Sequence, residues 1–135
     1  MSGKTVAGKL LVKPGMAVWA SSPDGLALIG PLPPGARVVA AIGAADVALL
    51  FAESADALEQ LLEDGADALH RPDILWVAYP KAGRSDLKRD TIPPHLTRRD
   101  MRPIGQVAID EIWSALRFRP LKPGEGPFTG GGRGS

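Results

Sequence analysis

Apolar residues in this chain fall into runs of two kinds. Val47-Ala48-Leu49-Leu50-Phe51, within Asp46 to Ala52, and Ile74-Leu75-Trp76-Val77-Ala78-Tyr79 are continuous, with the length and make-up of strands covered on both faces. Between them the spacing changes. Leu58, Leu61, Leu62 and Leu69 stand at offsets 0, 3, 4 and 11, which places them on one face at about 100° per residue and predicts a helix over Ser54 to His70. Ser54 is placed to cap it, Asp56 and Glu59 suit the positive end of its dipole, Gly65 weakens its interior, and Pro72 stops it. Strand, helix and strand in that order predict a right-handed crossover in a parallel sheet.

The flanking segments carry shorter signals. A strand is expected at Met16 to Ala20, and a short helix at Leu26 to Ile29 with Ser22 as N-cap, Pro23 in the first turn and Gly30 at the end. After the turn Pro31 to Gly35, Arg37 to Ala41 reads as a strand. Only about five residues separate it from the next strand, fewer than the roughly twelve of a parallel crossover, so the pair is expected to be antiparallel or the earlier strand irregular. A helical turn from Asp86 to Ile92 is expected to end at Pro93-Pro94, with a second turn at His95 to Met101. Gln106 to Ile109 and Trp113 to Arg119 read as an antiparallel hairpin. Residues 1–12 are expected to be loosely ordered, 13–122 to form one α/β domain, and the Gly-rich 123–135 to be disordered.

Composition sets exclusions. With 135 residues, 44% hydrophobic and 23% charged, the chain is of a size and make-up to fold without cross-links. Its lack of cysteine removes disulfides, a thiolate nucleophile and cysteine-ligated metals. With no signal-like or membrane-spanning stretch, a cytoplasmic location is expected. The net charge of +1 conceals a division. Asp46, Glu53, Asp56, Glu59, Glu63, Asp64 and Asp67 occupy Gly43 to His70 without a lysine or arginine, whereas Lys81, Arg84, Lys88, Arg89, Arg98, Arg99 and Arg102 outnumber Asp86, Asp90 and Asp100 in the later segment. Two solvated faces, or docking to partners of opposite sign, both account for this pattern.

Candidate chemistry concentrates where the second apolar strand ends. Tyr79-Pro80-Lys81 leads through Ala82-Gly83-Arg84-Ser85 to Asp86, the kind of strand-end loop at which open α/β sheets bind ligands. Backbone N–H groups there, with Lys81, Arg84, Ser85, Lys88 and Arg89, predict an anion site; the plain alternative is a helix capped by Ser85 whose cations face water. Asp90, Asp110, Glu111, Trp113 and Arg117 form a second group, read as a structural ion pair at a turn; the functional alternative is that Tyr79, Lys81 and Asp110 act as proton donors or acceptors. His70 and His95 lack metal-ligand spacing, so no metal or other cofactor is expected. No Walker A loop or Gly-x-Ser-x-Gly elbow is present, and Trp19, Trp76 and Trp113 suit core packing. Basic residues without interleaved aromatics argue against nucleic-acid binding.

Three segments, LWVAYPK, SDLKRD and GQVAIDEIWSALRFRP, resemble a family of small bacterial proteins classed only as a domain of unknown function, over about Val12 to Pro120. The resemblance implies that the three segments meet, and brings no activity with it. A coarser likeness is to the later half of class I methyltransferases, which share an apolar strand after an acidic residue, a helix, another strand and a closing hairpin. Where those enzymes hold S-adenosylmethionine with a glycine-rich loop after the first strand, this chain reads Ser21-Ser22-Pro23-Asp24-Gly25. The expected architecture is a single small Rossmann-like α/β domain, its sheet mostly parallel, with helices on both faces and a C-terminal hairpin. The leading functional expectation is a non-catalytic module that binds an anionic small molecule or acidic partner segment at Tyr79, Lys81, Arg84, Ser85, Arg89, Asp90, Asp110, Trp113 and Arg117. A small enzyme of methyltransferase-like fold and a protein–protein interaction module are the alternatives.

Overall fold

The two continuous apolar runs lie side by side in the computed structural model, which describes residues 6–65, 68–81, 86–88, 90–121 and 124. Strand β3 spans Val47–Phe51 and β4 spans Ile74–Pro80, parallel and in register from Val47 opposite Ile74 to Phe51 opposite Ala78. Every residue of β4 is buried, as a strand without a solvent face requires. Helix α3, Ala55–Asp64, connects them. Ser54 Oγ accepts the N–H of Ala57 at 3.1 Å, and Leu58 and Leu62 are fully buried. The helix stops at Gly65, its C-cap, and not at His70 as the spacing predicts. Glycine has the most backbone freedom to lose and favours such an exit. Leu69 still reaches the core, from the turn that follows.

The elements before β3 include β1 at Ala17–Ala20, a helix at Pro23–Leu28 and β2 at Arg37–Val38. That helix starts three residues before the expected Leu26, with Ser22 as N-cap and Pro23 in its first turn. The orientation expected for the strands flanking residues 42–45 is corrected. β2 and β3 do not pair with each other; each lies parallel to β1, on opposite sides of it. Val38 and Val47 both stand level with Val18, so the link through the short 3-10 turn Ile42–Ala44 crosses β1 at one height. A dozen residues are needed only where the chain must travel back along a full strand.

A five-residue helix, Pro93–Thr97, comes after β4. The prolines open this helix where they were expected to end one, because a residue without an N–H is tolerated in a first turn. The described part of the segment before it is a turn in which Thr91 Oγ1 accepts the N–H of Lys88 at 2.9 Å. Strands β5 (Met101–Ala108) and β6 (Trp113–Pro120) form the antiparallel hairpin, and β6 also pairs antiparallel with β4. At the other end of the chain, Val6–Lys9 is a helical turn whose Ala7, with Leu10 just after it, is fully buried. The indole N–H of Trp76 donates to the Leu10 carbonyl at 2.9 Å. Ala7, Leu10 and Val12 thus belong to the core, within the stretch 1–12 for which loose order was expected. Residues 1–5 and, apart from Gly124, the tail 123–135 lie outside the described residues.

In chain order the helices are α1 (Val6–Lys9), α2 (Pro23–Leu28), α3 and α4 (Pro93–Thr97). Among the described residues six strands make one sheet, in the order β2-β1-β3-β4-β6-β5. Leu50, Val77 and Phe118 pack with α3 and α4 on one face; Leu49, Trp76 and Ala115 pack with α1 and α2 on the other. The domain is Rossmann-like, mostly parallel, and closed by the C-terminal hairpin. No helix among the described residues is long and apolar enough to cross a membrane.

Candidate functional site

From β1 the chain moves outward to β2, then returns to β3 on the other side of β1 and continues to β4. The order of strands therefore reverses between β1 and β3. At such a reversal the connections leave the strand ends in opposite directions, and a crevice opens at the carboxyl edge. A hollow of about 540 Å³ lies there, lined by Ser22, Asp24, Gly25, Phe51, Glu53 and Trp113 together with small and apolar residues of α2 and α3. That volume is within the usual range for small-molecule sites, about 300–1,000 Å³.

Local chemistry holds each wall. The Ser21 N–H donates to the Leu49 carbonyl at 2.9 Å and Ser21 Oγ accepts the Phe51 N–H at 2.8 Å, tying the ends of β1 and β3 together. Ser22 Oγ accepts the Gly25 N–H at 3.0 Å, which satisfies one of the unpaired donors of α2. Gly25 is buried under the Phe51 ring, and the rings of Phe51 and Trp113 meet edge to face with centroids 5.4 Å apart at 69°. Trp113 is set by the hairpin turn. Asp110 Oδ1 accepts the N–H groups of Ile112 and Trp113 at 2.8 and 2.7 Å, and β-pairing places Trp113 opposite Pro80. Asp24 and Glu53 are exposed carboxylates, and no lysine or arginine lines the hollow among the described residues.

The residues expected to form a site are distributed as follows. Trp113 lines the hollow. Lys81 stands at the end of β4, its N–H donating to the Ile112 carbonyl at 2.8 Å, so Lys81, Asp110 and Trp113 share one rim. Tyr79 is buried on the opposite face, where its hydroxyl accepts from Gln106 Nε2 at 3.1 Å. Asp110 serves the turn, and Arg117 lies opposite Trp76 with its Nε buried and unpartnered among the described residues. Asp90 is exposed in the turn before α4. Arg84, Ser85 and Arg89 lie outside the described residues. Ser22, Gly25, Phe51 and Glu53 were not among the expected site residues. No local pattern marks them, since they meet only because β1 and β3 lie side by side.

A polar cluster occupies the other face. Glu59 of α3 is hydrogen-bonded to His95 Nδ1, to Arg98 at 2.8 Å and to Arg99 at 3.0 Å. The bond to His95 does most to hold the Glu59 carboxyl at about 2, with Arg99 and Arg98 adding to it against the opposing effect of burial. The acidic and basic runs of the sequence therefore meet within the molecule.

No protein-family model matches the chain, and no curated protein does. Solved structures do match, in fold. A protein of the NADB-Rossmann superfamily from Streptococcus agalactiae superposes with a TM-score of 0.57 at 11% identity, covering 90% of this chain and 69% of that one. The m1A22 tRNA methyltransferase TrmK of B. subtilis gives 0.53 at 12% identity, over 89% and 67%. A ribosomal protein L11 methylase from Lactobacillus delbrueckii subsp. bulgaricus gives 0.54 at 11% identity, over 87% and 75%. The chain thus shares the Rossmann-like fold of these structures.

Proposed function

We propose that this protein is a small-molecule-binding domain built on a methyltransferase-like fold, and that its ligand enters the hollow between the ends of β1 and β3. The observation that carries this reading is the coincidence of the strand-order reversal with a hollow of about 540 Å³. Partly exposed aromatic rings and a few polar groups on one wall match the usual make-up of ligand sites. In this reading the hollow takes the place of the loop after β4 as the principal site, and Lys81 belongs to its rim. Lys81 at that rim supplies a positive charge for a neighbouring anionic group of the ligand.

A second reading, an enzyme of methyltransferase-like fold, is favoured by the fold shared with tRNA and ribosomal-protein methyltransferases. The end of β1 speaks against S-adenosylmethionine being held as in that fold family. Where a glycine-rich loop would leave backbone N–H groups for a ligand, Ser22 Oγ takes the N–H of Gly25 and the Phe51 ring covers the glycine. The residues present do not fit the group in that manner. Titration of isotope-labelled protein with S-adenosylmethionine, adenosine, small amines and inorganic phosphate, followed by amide and indole resonances, tests both readings. Shifts at Gly25, Glu53 and Trp113 with any organic probe are expected. A response to S-adenosylmethionine alone would move the balance to the enzyme, and no response at those residues with any probe would end the proposal.

A further inference from the structure

Among the described residues, the charged groups that line the hollow are of one sign. Phe51 and Trp113 are both half-buried and both line it, and an aromatic face carries the negative part of the ring quadrupole. Asp24 in the first turn of α2 and Glu53 just after β3 add two carboxylates, and no described cation lines the cavity to offset them. A negative ligand group would meet like charge on entering. A positive one would meet two carboxylates beside aromatic walls, the kind of lining that binds quaternary ammonium and related organic cations. A bare metal ion is less well served, because aromatic walls supply no oxygen ligands, whereas hard cations take six or more of them.

Building on the proposed ligand site, we infer that the hollow selects a small organic molecule carrying a fixed or protonated nitrogen cation, seated against Phe51 and Trp113 and paired with Asp24 or Glu53. Gly25 is part of the device. Any side chain there would strike the Phe51 ring, with a Cβ 2.4 Å from its Cδ1, and would push that ring from its edge-to-face contact with Trp113. The two rings come from β3 and β6, which flank β4 without pairing with each other, so their meeting requires both strands to lie beside β4 and the hairpin turn at Asp110. The charge preference is opposite to that expected of the basic loop after β4. A ligand with both signs of charge would place its cation in the hollow and its anion toward Lys81.

The test is a resonance titration of the full chain with choline and with its neutral carbon analogue dimethylbutanol, which has the same shape and no charge. Choline should shift Gly25 and the Trp113 indole and bind about tenfold tighter than the alcohol, the size expected for a cation near an aromatic ring and carboxylates. Glu53→Gln, an exposed change that leaves the core untouched, should weaken choline and leave the alcohol unchanged. Trp113→Leu should weaken both. Equal binding of choline and dimethylbutanol would overturn the cation preference while leaving the hollow a ligand site. So would a response to adenosine or phosphate without one to choline, or a response to calcium alone. Silence of these resonances toward every probe would remove the site itself.

Discussion

Gly25 lies directly beneath the aromatic ring of Phe51, so close that a Cβ on the glycine would stand 2.4 Å from Cδ1 and 2.5 Å from Cε1 of the ring. Two residues far apart in sequence thus share one space at the carboxyl edge of the sheet. Gly25→Ala must displace the ring, since real Cβ atoms do not approach that closely. Overpacking of this kind costs about 1–3 kcal/mol. A lower urea midpoint and an altered Trp113 fluorescence are expected together. A variant as stable as wild type would show that Phe51 turns away freely.

Asp110 holds Trp113 through the turn, accepting two N–H groups on one carboxylate oxygen. Asp110→Ala removes both hydrogen bonds and should cost about 1.5–3 kcal/mol, the range for hydrogen bonds to a charged group. The loss should fall locally. Amide exchange at Ile112 and Trp113 is expected to quicken, with the strand β4 amides little changed; uniform quickening would point to a global role for the turn.

Trp76 ties the N-terminal segment to the sheet, its indole N–H donating to the Leu10 carbonyl at 2.9 Å in a buried setting. Trp76→Phe keeps most of the ring and strands that carbonyl, at a cost of about 1–3 kcal/mol for an unsatisfied buried polar group together with the smaller ring. Proteolysis near Leu10 should accelerate in the variant. Unchanged protease resistance would mean that burial of Ala7 and Leu10 anchors the segment alone.

Glu59 makes stability depend on acid. Its carboxyl is held at about 2, below the ordinary 4.5, by His95, Arg99 and Arg98. A carboxyl depressed in the folded state contributes fully above its ordinary value and loses that contribution as the pH falls toward the folded one. The difference in urea stability between wild type and Glu59→Gln should therefore be widest near neutrality and shrink from pH 4.5 down to about 2. A constant difference across that window would show that the cluster does not bias the ionisation of Glu59.

Much of the chain was legible one element at a time. The continuous apolar runs of β3 and β4, the leucine spacing of α3 behind Ser54, and the alternation of the closing hairpin are local patterns, because burial on two faces, one stripe or alternate residues leaves a periodic trace. The ends were less so: Gly65 stops α3 early, and Pro93 starts a helix where a proline run suggested an end. Strand order lies beyond such traces. Whether Arg37-Val38 pairs with β1 or with β3 depends on which edge is free when the chain arrives, and no residue of β2 records it.

From its own residues the chain determined which segments are strands and helices, and that its acidic and basic runs differ. The tertiary structure alone decided that the strand order turns back at β1, that Phe51 rests on Gly25 and meets Trp113, and that Glu59 joins His95, Arg98 and Arg99. The reason is physical. Secondary structure answers to neighbours a few residues away, whereas a hollow is made by side chains that only the packing of distant strands brings together.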